Sequence, residues 1–368
     1  MDERSLFSNK VRNIRPSGVR RIFDLASMVE NPINLSIGEP HFDIPLPLKE
    51  EAIKSIKKGF NKYTPSGGIP ELRQKILDLL KKREIMCDDV IVTPGVTGGL
   101  LLAFMVLLNP GEEVVIPDPY FVLYEYQVHL LGGKTVFFDT YPDFKIREDA
   151  LRKAISKKTK IVLINSPNNP TGRVYSKEEL LIVANVSREK GIWVFSDDIY
   201  DAFVYDERER VYMGALYEKT LTFGGFSKTW GMTGWRLGYV AGPKELINCM
   251  VTMQQYVFSS VNSVAQRAAL LALDYDMSPV ISEYKRKRDL IYEGLKDKYK
   301  VVKPEGAYYI FPEVPQGDGD AFVERALKEK LFVIPGSVFS RRKNHIRISF
   351  AQEDEVLHKG IEILRRLA

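Results

Sequence analysis

The sequence has little of what builds metal centres or disulfide frameworks. Among 368 residues there are two cysteines and four histidines. Cys87 and Cys249 show no metal-ligand spacing and set up no disulfide framework. His41, His129, His345 and His358 are scattered singly, so no metal is expected. No apolar run approaches the length that spans a bilayer. The stretch from Met1 to Arg21 is charged and lacks an apolar centre, so it does not read as a secretory signal. Charge of one sign is also scarce: 53 basic against 48 acidic residues leave a net charge of +5. The densest basic cluster, Arg341-Arg342-Lys343, reads as a short solvated turn rather than a nucleic-acid footprint. The expectation is a soluble cytoplasmic protein that binds neither nucleic acid nor membrane.

What is present is ordinary globular material. Hydrophobic residues make up 45% and charged residues 27%. The length exceeds the usual single domain. Helical patterns are expected around Val19 to Val29, Leu48 to Lys58 and Glu71 to Lys82. From Asp89 the rhythm is strand then helix. Val90-Ile91-Val92, Val114-Val115-Ile116, Thr135 to Phe138, Lys160 to Ile164 and Ile192 to Phe195 read as strands. Gly95 to Gly99 reads as a loop before a buried helix, Leu100 to Leu108. Ser176 and Glu179 have the spacing of a capping box for a helix reaching Lys190. Short continuous apolar strands separated by helices predict an α/β fold with a mostly parallel sheet, helices on both faces. After about residue 275 the texture changes to a smaller α+β region. There a long helix (Tyr284 to Tyr299) mixes with short strands, Tyr308 to Phe311, Phe332 to Ile334 and Ile346 to Ser349. Helices from Ala321 to Lys330 and from Glu353 to Leu367 complete it.

One stretch carries chemistry. In Gly224-Gly225-Phe226-Ser227-Lys228-Thr229-Trp230-Gly231-Met232-Thr233-Gly234-Trp235-Arg236-Leu237-Gly238, a lysine and an arginine sit in a glycine-rich loop between two apolar runs. A desolvated lysine near another cation loses its proton more easily and can attack a carbonyl. An arginine fork suits a phosphate. Together they suggest an aldehyde cofactor bearing a phosphate, pyridoxal phosphate. A glycine-rich hairpin with two solvated cations is the plainer alternative. Other polar groups also fall just past apolar strands: Gly95 to Gly98, Phe121, Asn169, Asp197 and Tyr200. In open α/β sheets ligands collect there.

With these motifs in order, the chain resembles the fold-type I pyridoxal-phosphate aminotransferases, the aspartate aminotransferase family of class I/II. The resemblance runs from Leu35 to Ala351. It rests on Tyr63-x-x-x-Gly67, Asn165-Ser166-Pro167-x-Asn169-Pro170-Thr171-Gly172, Asp197-Asp198-Ile199-Tyr200, Ser227-Lys228 with Gly234-Trp235-Arg236-x-Gly238, and Arg347-Ile348-Ser349-Phe350-Ala351. It implies a large cofactor domain over 46–275 and a small domain from 1–45 and 276–368. Lys228 would bond to the cofactor aldehyde and then shuttle the proton between the substrate α-carbon and cofactor C4′. Asp197 would pair with the pyridine nitrogen and hold the ring as an electron sink. Asn169 and Tyr200 would bond the phenolic oxygen. Arg236, Ser227, Gly95, Val96 and Thr97 would hold the phosphate, the last three at a helix N-terminus. Phe121 would stack on the ring, with Tyr120 as the fallback. Arg347 would clamp the substrate α-carboxylate, beside Asn169. Gly38 would let the N-terminal segment fold over it. Tyr63 would reach the phosphate of a neighbouring subunit, which implies a homodimer.

The resemblance also implies the reaction: an amino group moves from an L-amino acid to a 2-oxo acid, with 2-oxoglutarate as the expected acceptor. Two departures bear on this. Gly225 stands where the family commonly has a phosphate-binding serine, a loss of about 1 kcal/mol for a neutral bond and about 1.5–3 for a charged one. Gly225→Ser is therefore expected to tighten cofactor binding. Thr97 is not the lysine of some relatives, and Val251 to Gln266 holds no cation. An aromatic or other neutral donor is therefore expected, with aspartate left open because Arg15 or Arg20 could serve. A β-lyase on the same fold and a non-catalytic regulator remain alternatives. About 35 residues precede the first motif, few for an appended DNA-binding module.

Overall fold

The computed structural model describes residues 6–8, 10 and 16–368. After a short strand, β1 (Ile33–Asn34), seven apolar runs bounded by turn residues become strands of one sheet. They are β2 (Asp89–Thr93), β3 (Glu113–Asp118), β4 (Lys134–Asp139), β5 (Thr159–Asn165), β6 (Trp193–Asp197), β7 (Thr220–Gly225) and β8 (Gly238–Gly242). Their order is β2-β8-β7-β6-β5-β3-β4. Only β8 runs antiparallel, to both its neighbours. The mostly parallel α/β architecture expected from the sequence is therefore present.

Alternation decides which helix each strand side chain meets. Ile161 and Leu163 of β5 join one apolar cluster with Leu100, Phe104 and Met250. Val162 and Ile164 face the other way, onto Leu180 and Val183. Both faces are thus buried, which is why β5 reads as an unbroken apolar run. The helix Lys177–Lys190 starts at the capping box expected from Ser176 and Glu179. The helix Gly95–Leu107 starts earlier than the sequence pattern suggests, so the glycines at 95–99 are not a loop. Glycine lowers helix propensity, but burial of this almost wholly apolar helix against the sheet overrides it.

The C-terminal part holds β9 (Tyr309–Ile310), β10 (Leu331–Phe332), β11 (Ile334–Pro335) and β12 (Ile346–Ser349). β11, β12 and β9 form an antiparallel sheet, while β10 pairs in parallel with β1. The run Phe332 to Ile334 is therefore divided between two strands in two sheets, with Val333 in neither. The long helix spans Ser278–Leu295 rather than Tyr284 to Tyr299; Pro279 in its first turn fits the start of a helix. The β1–β10 pairing ties the N-terminal segment to the C-terminal part. Leu35 reinforces it: its N–H donates to Phe332 O at 2.9 Å and its carbonyl accepts from Ser349 N at 2.8 Å.

His345 directly precedes β12 and lies flat on Phe311, ring centroids 4.9 Å apart. Burial pushes its pKa down to about 4, with Arg342 and Lys300 helping and Glu313 opposing. The folded protein thus takes this proton near pH 4, the unfolded chain near 6.5. The stability His345 contributes is complete above 6.5 and is lost as pH falls towards 4. Asp197 and Asp198 have raised values and act in the opposite sense. The difference between two proteins isolates the histidine: between neutral pH and about 4, urea-unfolding stability should fall less steeply for His345→Gln than for the parent. Parallel pH profiles would contradict this account.

Candidate active site

Parallel strands deliver their carboxyl ends to one edge of the sheet, and the candidate residues gather there. Asp197 is the last residue of β6 and is 3% exposed. Its Oδ2 accepts from the Tyr124 hydroxyl at 2.6 Å and its Oδ1 from the Ile199 N–H at 3.2 Å. Burial pushes its pKa up to about 6, against these two donors and Lys228. Asn165 ends β5 directly opposite. Its amide donates to Asp197 O at 2.8 Å and its Oδ1 accepts from Asn169 N at 2.8 Å. One strand end thereby fixes the turn that carries Asn169.

Lys228 enters the same cavity from the loop after β7. Its Nζ donates to Gly38 O at 2.7 Å and lies 5.9 Å from the Tyr200 ring centre. Burial lowers its pKa to about 8; Glu39 opposes the drop, and Arg347 and Arg236 add to it. At the far end are Val96, Thr97, Ser227 and Arg236. Arg236 holds a left-handed backbone (φ 55) and donates from Nη1 to Thr233 O at 2.9 Å. Gly95 begins the neighbouring helix, and a Cβ there would lie 2.8 Å from Arg236 Nη2. The glycine leaves the guanidinium its place beside the helix N-terminus. Phe121 lines the cavity. Tyr120 does not; its hydroxyl is 2.5 Å from Glu125.

A second chamber adjoins the first and shares Phe121, Asn169, Tyr200 and Lys228 with it. Its polar centre is Arg347 of β12, which is 1% exposed. Arg347 donates from Nη1 to Asn169 Oδ1 at 3.1 Å and from Nη2 to Ser36 O at 2.7 Å. Gly38 sits at this seam, and Val19, Arg20, Phe23 and Ile37 form the outer wall. Arg20 is paired to Asp24 at 2.9 Å, with its guanidinium 5.1 Å from the Phe23 ring. Arg15 lies outside the described residues.

Tyr63 is apart from the cavity. It is 89% exposed and lines a separate groove with Ser260 to Val264. Sequence reasoning missed three neighbours of the site. Glu39 lines both chambers, Tyr124 holds Asp197, and Tyr309 lines the second chamber. The available signal was position: Glu39 follows Gly38, and Tyr124 follows Phe121 at helical spacing. Gly225 is packed more tightly than expected: a Cβ would be 3.0 Å from Ile199 Cδ1 and 3.3 Å from Leu237 O. Serine there requires the end of the Ile199 side chain to give by a few tenths of an ångström.

Comparison with known proteins defines the class. The model of the family "Aminotransferase class I and II" matches residues 30–364, and the chain belongs to that family. It is 39% identical to a probable aspartate aminotransferase of Methanocaldococcus jannaschii, covering 98% of this chain and 100% of that one. It is 37% identical to aromatic-amino-acid aminotransferase 2 of Thermococcus litoralis, over 98% of this chain and 97% of that one. The solved aspartate aminotransferase of Thermotoga maritima superposes with a TM-score of 0.93 at 35% identity, covering 98% and 99% of the two chains. As a family member, the chain is a pyridoxal-phosphate-dependent enzyme that transfers amino groups between amino acids and oxo acids.

The cavity suits that cofactor. Both hydrogen bonds to the buried Asp197 come from neutral donors, so a cationic ring nitrogen would supply the missing counter-charge. Arg236 and the start of the helix at Gly95 make an anion site at the other end. The Lys228 amine lines the same cavity and could meet an aldehyde there. Because only the neutral amine attacks, uptake of pyridoxal phosphate by cofactor-free protein should quicken about tenfold per pH unit below about 8 and level off above it. Glu39→Gln should move that break downward. Stopped-flow absorbance reads both; a flat profile would show that Lys228 titrates elsewhere.

Proposed function

We propose that Lys228 is the covalent anchor and the proton carrier of the transamination, and that Asp197 holds the cofactor's ring nitrogen in its protonated form. The observation that carries this reading is the opposition of a buried carboxylate and a buried amine across one cavity, with Arg347 in the adjoining chamber. When bound, the cofactor supplies an electron sink for the bond broken at the substrate α-carbon. The chain's own groups do the rest. Arg347, backed by Asn169 and Ser36, takes the α-carboxylate and so aims the α-hydrogen at Lys228. Lys228 removes that proton and returns it, a role suited to an amine whose pKa lies near neutrality. Tyr200 and Asn169 hold the phenolic oxygen, and Phe121 covers the ring. Gly95, Val96, Thr97, Ser227 and Arg236 hold the phosphate.

The donor is read as an aromatic or other neutral L-amino acid and the acceptor as 2-oxoglutarate. Val19, Phe23 and Ile37 in the outer wall support an apolar side chain. Arg20 is the cation at that wall for a dicarboxylate, once released from Asp24. The relatives named for aspartate and for aromatic substrates keep both in view. The division into a large domain, 46–275, and a small one, 1–45 with 276–368, is supported by the β1–β10 pairing, which joins the two outer segments. A cytoplasmic location is part of the same reading, and no helix among the described residues is long and apolar enough to cross a membrane. The working unit is read as a homodimer in which Tyr63 reaches the partner's phosphate. The exposure of Tyr63 (89%), away from the cavity, supports that reading.

Visible absorbance of the loaded protein tests the reaction. Aromatic donors should convert the cofactor to its amine form and 2-oxoglutarate should restore it, and Lys228→Ala should abolish the cycle. Release of pyruvate and ammonia instead would establish lyase chemistry. The dimer has its own test. Tyr63→Phe should weaken cofactor affinity about tenfold or more, the value of one charged hydrogen bond. Mixed dimers of Tyr63→Phe and Lys228→Ala subunits should regain full affinity at the Lys228-bearing sites. If they do not, Tyr63 serves its own subunit or none.

A further inference from the structure

Tyr309 touches both halves of the site and has no role in the account above. It lies on β9, beside β12, and is 1% exposed. Its hydroxyl is 2.9 Å from the Tyr200 hydroxyl. Its ring lies 4.5 Å from the guanidinium carbon of Arg347. The same hydroxyl would be 2.8 Å from a Cβ at position 38. One side chain therefore meets the cofactor's phenol donor, the carboxylate clamp and the glycine of the covering segment.

Hydrogen counting sets the direction of the contact. A phenol has one proton to give. If Tyr200 gives its proton to the cofactor's phenolic oxygen, its own oxygen must accept from Tyr309. A donor behind Tyr200 polarises the outward bond and strengthens it. The cation on the Tyr309 ring favours that polarisation. The packing also accounts for glycine at 38, since any side chain there displaces the Tyr309 hydroxyl.

We infer that Tyr309 is a positioning residue, its hydroxyl donating to Tyr200 and its ring packing on Arg347 together with Phe339 (4.5 and 4.6 Å from the guanidinium carbon), so that one side chain bears on both the cofactor's phenol contact and the carboxylate clamp. The inference rests on the roles assigned above to Tyr200 and Arg347. The two functions separate by substitution. Tyr309→Phe removes the hydroxyl and keeps the ring on Arg347. Tyr309→Leu removes both. Gly38→Ala leaves the residue in place and pushes its hydroxyl away.

The test is a pH titration of the visible cofactor band, with KM measured for several amino donors. Donation onto the phenolic oxygen lowers the chromophore's proton affinity, so weakening it raises the midpoint. Tyr309→Phe and Gly38→Ala should each raise it by about half a unit, a part of one neutral hydrogen bond. Their effects should not add, because they break the same contact. KM should stay within about twofold in Tyr309→Phe and rise for every donor in Tyr309→Leu, which also loses one of the two cation–ring contacts of Arg347 and leaves only that to Phe339. Tyr200→Phe is the reference. A shift with Tyr200→Phe but none with Tyr309→Phe overturns the inference alone. No shift with Tyr200→Phe overturns the reading of Tyr200 and the inference with it. A raised KM in Tyr309→Phe with no band shift also overturns it, since the hydroxyl would then serve packing only.

Discussion

Burying a carboxylate at the end of a central strand is the constraint on which this site depends. Asp197 lies between two strands in parallel register and has almost no contact with water. An isolated charge there is costly, and its pKa rises accordingly. The fold answers with neutral donors, the Tyr124 hydroxyl and the Ile199 N–H. Neither brings a charge. What remains is a preformed demand for a cation at one spot, which a protonated ring nitrogen would meet. The same burial depresses the Lys228 amine. One buried cavity therefore tunes two groups of opposite sign, each towards the neutral form.

The second dependence is on the segment from Leu35 to Glu39. Arg347 spends one arm of its fork on Ser36 O, and Lys228 and Tyr308 both donate to Gly38 O, at 2.7 and 3.1 Å. This segment belongs by hydrogen bonding to the C-terminal sheets, through Phe332 and Ser349. It nevertheless forms a wall against the lysine of the large sheet. Cofactor chemistry and substrate grip thus meet across a backbone strap only a few residues long. A bulky residue at 38 would strike the Tyr309 hydroxyl, which links the strap to Tyr200 as well.

The sequence makes the strand ends legible because burial on both faces writes them as short apolar runs, and the residue after each run stands out. Asp197, Asn169 and Lys228 were readable in that way, and the cavity contains all three. The family resemblance added Arg347, which no pattern of charge would have singled out. Residues that act through a neighbour were not readable. Tyr124 and Tyr309 sit in apolar stretches, where an aromatic is normal packing and only the far end of the ring carries the contact. The helix at Gly95 was misjudged because its glycines mimic a turn, while the packing that holds them comes from strands far away in sequence. Tyr63 shows the remaining gap. Its exposure, away from the cavity, is visible only in three dimensions.

Asp198 shows how one step along a strand end changes a carboxylate's task. Neighbouring side chains leave a strand in opposite directions, and Asp198 does not line the cavity. Its Oδ1 accepts from Ser196 at 2.8 Å and lies 3.7 Å from Arg210. Arg210 in turn donates to Ser166 O at 2.9 Å, at the start of the turn that carries Asn169. Burial lifts the Asp198 pKa to about 7, against Arg210 and Ser196. The second carboxylate therefore braces from behind the loop that the first one faces. Paired acids at such a position resemble a catalytic dyad in sequence. In space one faces the cavity and the other is a strut behind it, as the two-residue period of a strand directs.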